Sequence, residues 1–396
     1  MNKQFQTPCY VIHKELVDQQ LNLLKDALKA HWDNGLIAYS YKTNALPWLA
    51  DYYNRNGCYA EVVSADEYYL GKRIGVADNC FVYNGPIKTR ETFAEALNNG
   101  CIVNIDANRE LEWLDDLEPG REYRLGIRVN FDIEKDCPGH SACPEEGGRF
   151  GFCYENGKLL EALEIIKAKG LKVTCLHMHT SSRTRAVDVY KAIARKACQI
   201  VEEYGLNLTY LDIGGGYFGG MENRPQFDDY LREVSAVLSR VFDKKRTTLI
   251  VEPGMSLVGP VVSYVTSVID VKDTCYGRFV VTDGSRTNID PLMNKKSYFY
   301  QVEQQVHTQK LLPRQVICGY TCMEHDRLFH LENAGELAVG DRIVYHKVGA
   351  YTMCLTPLFI KYFPSVYLEE EDGCSVLRTN WTVEEFCQCS KWGDME

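Results

Sequence analysis

With 396 residues, 45% hydrophobic and 25% charged side chains and no low-complexity tract, the chain has an ordinary globular composition, with room for a barrel of roughly 250 residues and a second domain. Its 44 basic and 54 acidic side chains leave a net charge of −10. The one dense basic cluster, Lys244, Lys245 and Arg246, reads as a solvated helix end, so nucleic-acid binding is disfavoured.

The start MNKQFQTPCY lacks the basic residues and apolar core of an export signal, which points to a cytoplasmic protein. The segment TPCYVIHKELV has strand character and is expected to join a domain at the other end of the chain. Leucines at 16, 23, 24 and 28 then mark a helix. Eight strand-length apolar runs follow, each ending in a polar or glycine-rich tip: 36–42, 58–64, 79–85, 101–106, 123–130, 172–179, 208–215 and 247–254. Stretches of helical period lie between them, such as Leu159, Leu160, Leu163 and Ile166. Eight alternations predict a (β/α)8 barrel over 16–255, a fold that carries its chemistry at the C-terminal ends of the strands and phosphate after strands seven and eight.

Beyond Glu252 the alternation stops and β-rich text begins: SYVTSVIDVKD, GRFVVTDG, QVICGYTC and DRIVYHKVGAYT. With turn signals at Asp283-Gly284 and Gly340-Asp341, residues 256–396 read as a β-sandwich or small barrel, to which 1–15 is added. The weakly polar stretch 256–269 contains Gly259 and Pro260 and is too short for a membrane span of ~20 residues. Sixteen cysteines scattered through a long chain read as buried thiols rather than a disulfide framework. Cys137, His140 and Cys143 share one loop without a tight CxxC pair, so no metal is expected.

Four tips carry chemistry. Lys42 ends the first run, where a buried ammonium needs a partner or a use; it either snorkels outward or forms a Schiff base with an aldehyde. Gly214, Gly215 and Gly216 follow the seventh run, and their backbone N–H groups could wrap a phosphate or simply make a tight turn. The absence of a P-loop signature favours a small phosphorylated cofactor over a nucleotide. Glu252 ends the eighth run before Pro253, and a buried carboxylate there could face a protonated pyridine nitrogen. His177 and His179, two apart, should share a face, suited to a metal or to stacking on an aromatic ring.

Taken together, YSYKTN, HMHTSS, DIGGGY, EPG, CGYTCMEHD and GAYT resemble the fold-type III pyridoxal-phosphate decarboxylases, the group of diaminopimelate and ornithine decarboxylases with an alanine-racemase-like barrel. The motifs run in order over nearly the whole chain. The resemblance implies pyridoxal 5'-phosphate as cofactor, held as a Schiff base by Lys42, with His179 on the ring and Glu252 at the pyridine nitrogen. It implies Ser182, the glycine turn and Tyr351 at the phosphate, Glu61 near the lysine and Arg128 beside the cofactor. It further implies a homodimer with shared sites, in which Cys322 crosses the interface to help protonate the carbanion, and Met323, Glu324, Asp326 and Tyr351 lie near the substrate.

Three departures matter. Met255 stands where the family has arginine after EPG, with Arg183 or Arg185 as replacements. Met323 stands where both decarboxylases have an acidic residue. Ser181 replaces the glycine of HxGS. The first two changes remove charge from the region expected to meet the far end of diaminopimelate or ornithine. The expected activity is therefore α-decarboxylation of another amino acid or an amino-acid conjugate. An amino-acid racemase and a catalytically silent regulatory homologue are the alternatives. Tyr298 and Tyr300 are candidates for the specificity pocket.

Overall fold

The computed structural model describes residues 5–306 and 310–393. Contacts divide it into two compact units, Gln20–Leu257 and the described parts of 1–19 and 258–396. Strand β1 (Cys9–His13) belongs to the second unit. The first contains β2 (Gly35–Ser40), β3 (Tyr59–Ser64), β4 (Phe81–Ile87), β5 (Ile102–Ile105), β6 (Leu125–Asn130), β7 (Phe152–Cys153), β8 (Cys175–His177), β9 (Tyr210–Asp212) and β10 (Thr248–Val251).

All pairings between these strands are parallel, from β2 through β6 to β8, β9 and β10. β10 returns to β2 with Ile250 opposite Leu36, which closes an eight-stranded barrel; the short β7 is appended to β6. Helices such as Ala65–Ile74, Val187–Tyr204 and Phe227–Leu238 alternate with the strands. The first of these shows why it starts and stops where it does: Ser64 Oγ accepts from Glu67 N, and Gly75 ends it in the left-handed region at φ 100°,. Each of the eight apolar runs overlaps one barrel strand, with β2 beginning one residue before its run and β4 ending two residues beyond its own. Among the described residues no helix is long and apolar enough to cross a membrane.

Period-2 alternation explains how the barrel interior is filled. Ala38, Val82, Ile102, Cys175 and Ile250 form one buried apolar cluster, with Leu36, Tyr59 and Tyr210 packed against it. Two residues further along the same faces stand Ser40, Asn84, Asn104, His177 and Glu252, and likewise Glu61 and Asp212, all 5% exposed or less. The C-terminal end of the barrel is thus a buried polar layer resting on an apolar one.

Several strands stop short of the tips of their runs. β2 stops at Ser40, and Lys42 sits in a 3-10 turn, Tyr41–Thr43, rather than at a strand end. That turn docks on the EPG segment: Ser40 N donates to Pro253 O at 3.3 Å, and a side chain on Gly254 would collide with Thr43.

The second unit has nine strands. Besides β1 these are β11 (Val262–Thr274), β12 (Gly277–Thr282), β13 (Phe299–Glu303), β14 (Leu311–Cys318), β15 (Arg327–Gly335), β16 (Arg342–His346), β17 (Ser365–Glu370) and β18 (Gly373–Arg378). They follow one open path, β15-β14-β12-β11-β1-β17-β18, with β16 and β13 continuing from β11. β1 lies antiparallel to β11, with Cys9 opposite Val265, and parallel to β17, with Cys9 opposite Ser365. The 13-residue β11 pairs with β1 and β16 in its first half and with β12 in its second, across an irregularity between Val268 and Asp270,.

Candidate active site

Lys42 Nζ donates to Ser40 Oγ at 2.8 Å and is ion-paired with Glu61 Oε2, which also accepts from Ser40 Oγ. The lysine side chain is 38% exposed and its glutamate partner 1%, so the amine stands at the mouth of the polar layer with its counter-charge beneath. The nearby Glu67 is pushed up to about 7, first by burial and then by the negative Glu61,.

Glu252 occupies the middle of the layer. Its Oε1 accepts from Asn84 Nδ2. Its Oε2 lies 3.4 Å from His177 Nε2, within reach of charge attraction but without hydrogen-bond alignment. Burial alone would raise this carboxyl, yet His177, Lys42 and Asp212 outweigh it and hold it well below the usual carboxylate range. Burial and the negative Glu252 drive Asp212 the other way, well above its range, so this close pair of carboxyls is pushed apart in acidity. Asp212 Oδ1 accepts from Gly214 N at 2.8 Å. The His177, Asp212 and Glu252 ligand atoms lie within 4.8 Å of one another, a carboxylate environment for His177 that sequence reading did not foresee.

His179 lies two residues beyond His177 with its ring within 13° of parallel, centroids 6.3 Å apart. Burial first and the Arg128 charge second push its imidazole down to about 3, leaving a neutral ring at ordinary pH. Gly215 N donates to its Nδ1 at 3.4 Å. Gly214 and Gly216 have φ of 71° and 91°, conformations side chains rarely adopt. A Cβ on Gly214 would collide with His179, and one on Gly215 with the Glu252 carbonyl. Glycine is therefore needed for this turn to lie against both residues.

Arg128 Nη1 donates to Asp106 Oδ2 at 2.8 Å and Nη2 to the His179 carbonyl at 3.4 Å. Asp106 is itself held by Gly151 N at 3.0 Å. Behind it, Lys88 and Glu110 form a fully buried ion pair at 3.2 Å, and Glu110 Oε2 accepts from Asp106 N. A cavity of about 760 Å3 opens beside Arg128 and His179 under the loop 141–150, within the size range of small-molecule sites.

Ser182 Oγ accepts from Thr184 N at 3.2 Å and Arg185 N at 3.0 Å, shaping the turn after β8. Arg183 is tied to Gly139 O at 3.1 Å, while Arg185 lies over Phe218, 5.4 Å from the ring centre. His140 bonds Thr184 Oγ1 at 2.6 Å, and among the described residues it forms no ligand group with Cys137 and Cys143.

In the second unit, Cys322 is exposed in the turn after β14. Glu324 is 94% exposed and pairs with Arg327 at 2.9 Å; Met323 N donates to Thr321 Oγ1 at 3.4 Å. Asp326 is buried, and its carboxylate is filled by its own unit: Oδ2 accepts from Ser285 Oγ, Thr321 N and Thr321 Oγ1, and Oδ1 from Arg286 N. Tyr351 is 37% exposed and takes a left-handed φ of 54°, a strained conformation of the kind concentrated at functional sites. Tyr298 donates to Asp290 at 3.2 Å, and Tyr300 stacks on Phe329 with centroids 4.0 Å apart.

Residues 15–259 match the family described as pyridoxal-dependent decarboxylase, pyridoxal binding domain. The chain belongs to the pyridoxal-dependent decarboxylases. Diaminopimelate decarboxylase of Aquifex aeolicus is 24% identical, covering 89% of this chain and 84% of the relative. A probable chloroplastic diaminopimelate decarboxylase of Oryza sativa subsp. japonica is 28% identical over 93% and 76%. Among solved structures, diaminopimelate decarboxylase of Methanocaldococcus jannaschii superposes with a TM-score of 0.86 at 22% identity, covering 98% of this chain and 93% of that one. The Helicobacter pylori enzyme, solved with L-lysine, gives 0.81 at 23% identity, with 97% of each chain covered.

The cofactor of this pyridoxal-dependent decarboxylase is pyridoxal 5'-phosphate, and the barrel's residues fit it. A lysine stands at the mouth, a buried carboxylate is held ionised, a neutral imidazole lies above the layer, and a glycine turn is pressed so close that no side chain is tolerated. His177 and Arg128 Nε, buried and without hydrogen-bond partners, show a site with polar capacity to spare.

Proposed function

We propose that this decarboxylase acts on an amino acid other than free meso-diaminopimelate, or on an amino-acid conjugate. Met255 and Met323 remove charge from the positions that the family resemblance puts near the far end of that substrate, and this is the observation that carries the reading. In the holoenzyme Lys42 binds the cofactor through Nζ, and Glu61 balances that nitrogen's charge. Glu252 would face the ring nitrogen, its carboxyl held low by His177, Lys42 and Asp212 against the effect of burial. His179 covers one ring face and Arg128 anchors that side. Ser182, the N–H groups of Gly214–Gly216 and Tyr351 hold the phosphate.

Bound pyridoxal phosphate supplies the electron sink for the pair left when the α-carboxylate departs as CO2. The chain's own groups orient the substrate and manage protons around that event. Cys322 Sγ delivers the proton to the α-carbon, while Met323 and Glu324 lie toward the substrate's far end and Asp326 holds their turn. The reading includes a homodimer in which Cys322 of one subunit serves the other's barrel. It also includes residence in the cytoplasm, in keeping with cysteines scattered through a long chain,.

The test is CO2 release from the loaded protein across L- and D-configured basic, acidic and diamino acids and their conjugates, with Lys42→Ala as control. Release should be fastest from a substrate other than meso-diaminopimelate and absent in the control. Faster turnover of meso-diaminopimelate than of every alternative overturns the substrate reading. Deuterium exchange at the α-carbon with the carboxylate retained would instead assign a racemase.

A further inference from the structure

The polar layer contains a side chain that the chemistry above does not use but that bridges two carboxylates it does. Asn84 Nδ2 donates to Glu61 Oε1 at 3.0 Å and also to Glu252 Oε1. Asn84 Oδ1 accepts from Asn104 Nδ2 at 2.8 Å. The amide's orientation follows from chemistry: ionised carboxylates only accept, so the NH2 must face both of them and the oxygen must face Asn104. Asn104 fits because its neighbour on the next strand is Gly126, where a Cβ would collide with the Asn104 side chain. Asn84, Asn104, Glu61 and Glu252 are 2%, 0%, 1% and 5% exposed, so bulk water is no substitute for any of these bonds.

The other oxygens of the two carboxylates carry the remaining contacts. Glu61 Oε2 takes Lys42 and Ser40, with Glu67 nearby, while Glu252 Oε2 faces His177, with Asp212 alongside. A continuous line therefore runs from Lys42 through Glu61, Asn84 and Glu252 to His177.

We propose that Asn84 is a positioning residue that clamps Glu61 to Glu252, so that the counter-charge of Lys42 and the carboxylate placed for the ring nitrogen are set as one rigid unit. This rests on the roles assigned above to Lys42 and Glu252. Two buried carboxylates near each other would ordinarily relieve their repulsion by one taking a proton. An amide that gives a hydrogen to each favours the ionised form of both, because an ionised carboxylate oxygen is a stronger acceptor than the carbonyl oxygen of a protonated acid. An acid at position 84 would reverse this, removing a donor and adding a like charge.

The experiment is a pH titration of the visible absorbance of bound cofactor, which reports protonation of the Lys42 nitrogen, in wild-type holoenzyme, Asn84→Asp and Asn104→Ala. Asn84→Asp should raise the midpoint by about one pH unit, a roughly tenfold gain in proton affinity, because Glu61 loses its amide donor and a new negative charge stands beside it. Asn104→Ala keeps the clamp residue but frees its carbonyl, and should shift the midpoint the same way by less. Midpoints that superimpose on wild type, with normal bound-cofactor spectra, would reduce Asn84 to packing and overturn the proposal. If Asn84→Asp does not fold, Asn104→Ala decides alone. Wild-type protein whose spectrum with pyridoxal phosphate matched that of Lys42→Ala would instead refute the role of Lys42.

Discussion

At the scale of single residues, His179 shows how environment selects one function from several. The HMH spacing suits a metal or a stacking ring equally well, and only the fold reveals that burial and Arg128 hold the imidazole down at about 3. In the unfolded chain the same group titrates near ~6.5. Between those values the unfolded state binds the extra proton, so stability rises with pH across this window and is lost on acidification through it. His179→Phe keeps a flat ring but removes the titration. Melting temperature followed against pH should therefore show a flatter acid limb in the variant than in wild type; identical limbs would mean that His179 titrates normally. Lys42, Glu252 and the three glycines could be singled out in the sequence because such residues are out of place at the ends of apolar runs. Asn84 could not: an asparagine before Gly85 looks like an ordinary turn, and its importance arises only where three strands converge.

At the scale of elements, the barrel was readable and the second sheet only partly so. Each barrel strand is buried on both faces and writes a continuous apolar run, whereas β13, β15 and β18 have mostly exposed or half-buried residues and carry no comparable signal. Run length also misled at the tips, since hydrophobic text continues into the turn holding Lys42 while the hydrogen-bonded strand has already ended at Ser40. The turn after β14 illustrates a motif whose chemistry and architecture differ residue by residue. Cys322 and Glu324 are exposed, but Asp326 is spent on four donors within its own unit. Asp326→Ala would leave those donors unmet, at about 1–3 kcal/mol for each one that water does not reach. Chemical denaturation should show a loss of about 3 kcal/mol, whereas Glu324→Ala should change stability by less than ~0.5 kcal/mol. Equal effects would contradict this division of labour.

At the scale of the whole molecule, the proposed sharing of sites between subunits makes a prediction that no single chain can satisfy. Lys42→Ala and Cys322→Ala should each be nearly inactive as homodimers. Mixed and allowed to exchange subunits, they should regain activity, since one of the two sites in a heterodimer then carries both native residues. Mixing without any gain would place both residues at a site built from one chain.

The pairing of β1 has a consequence for how the chain is made. Cys9, Tyr10, Val11 and Ile12 are at most 1% exposed, yet their strand partners are Val262–Val265 on one side and Ser365–Leu368 on the other. Every described strand of the barrel has been synthesised by Val251, while β1 still lacks both neighbours. During translation this apolar ribbon must wait until β11 has been made before one edge is covered, and until β17 before the other is. Such long sequence separation slows folding and leaves strand edges open to wrong partners, so the window of vulnerability opens when β1 emerges and closes only once β17 has been made.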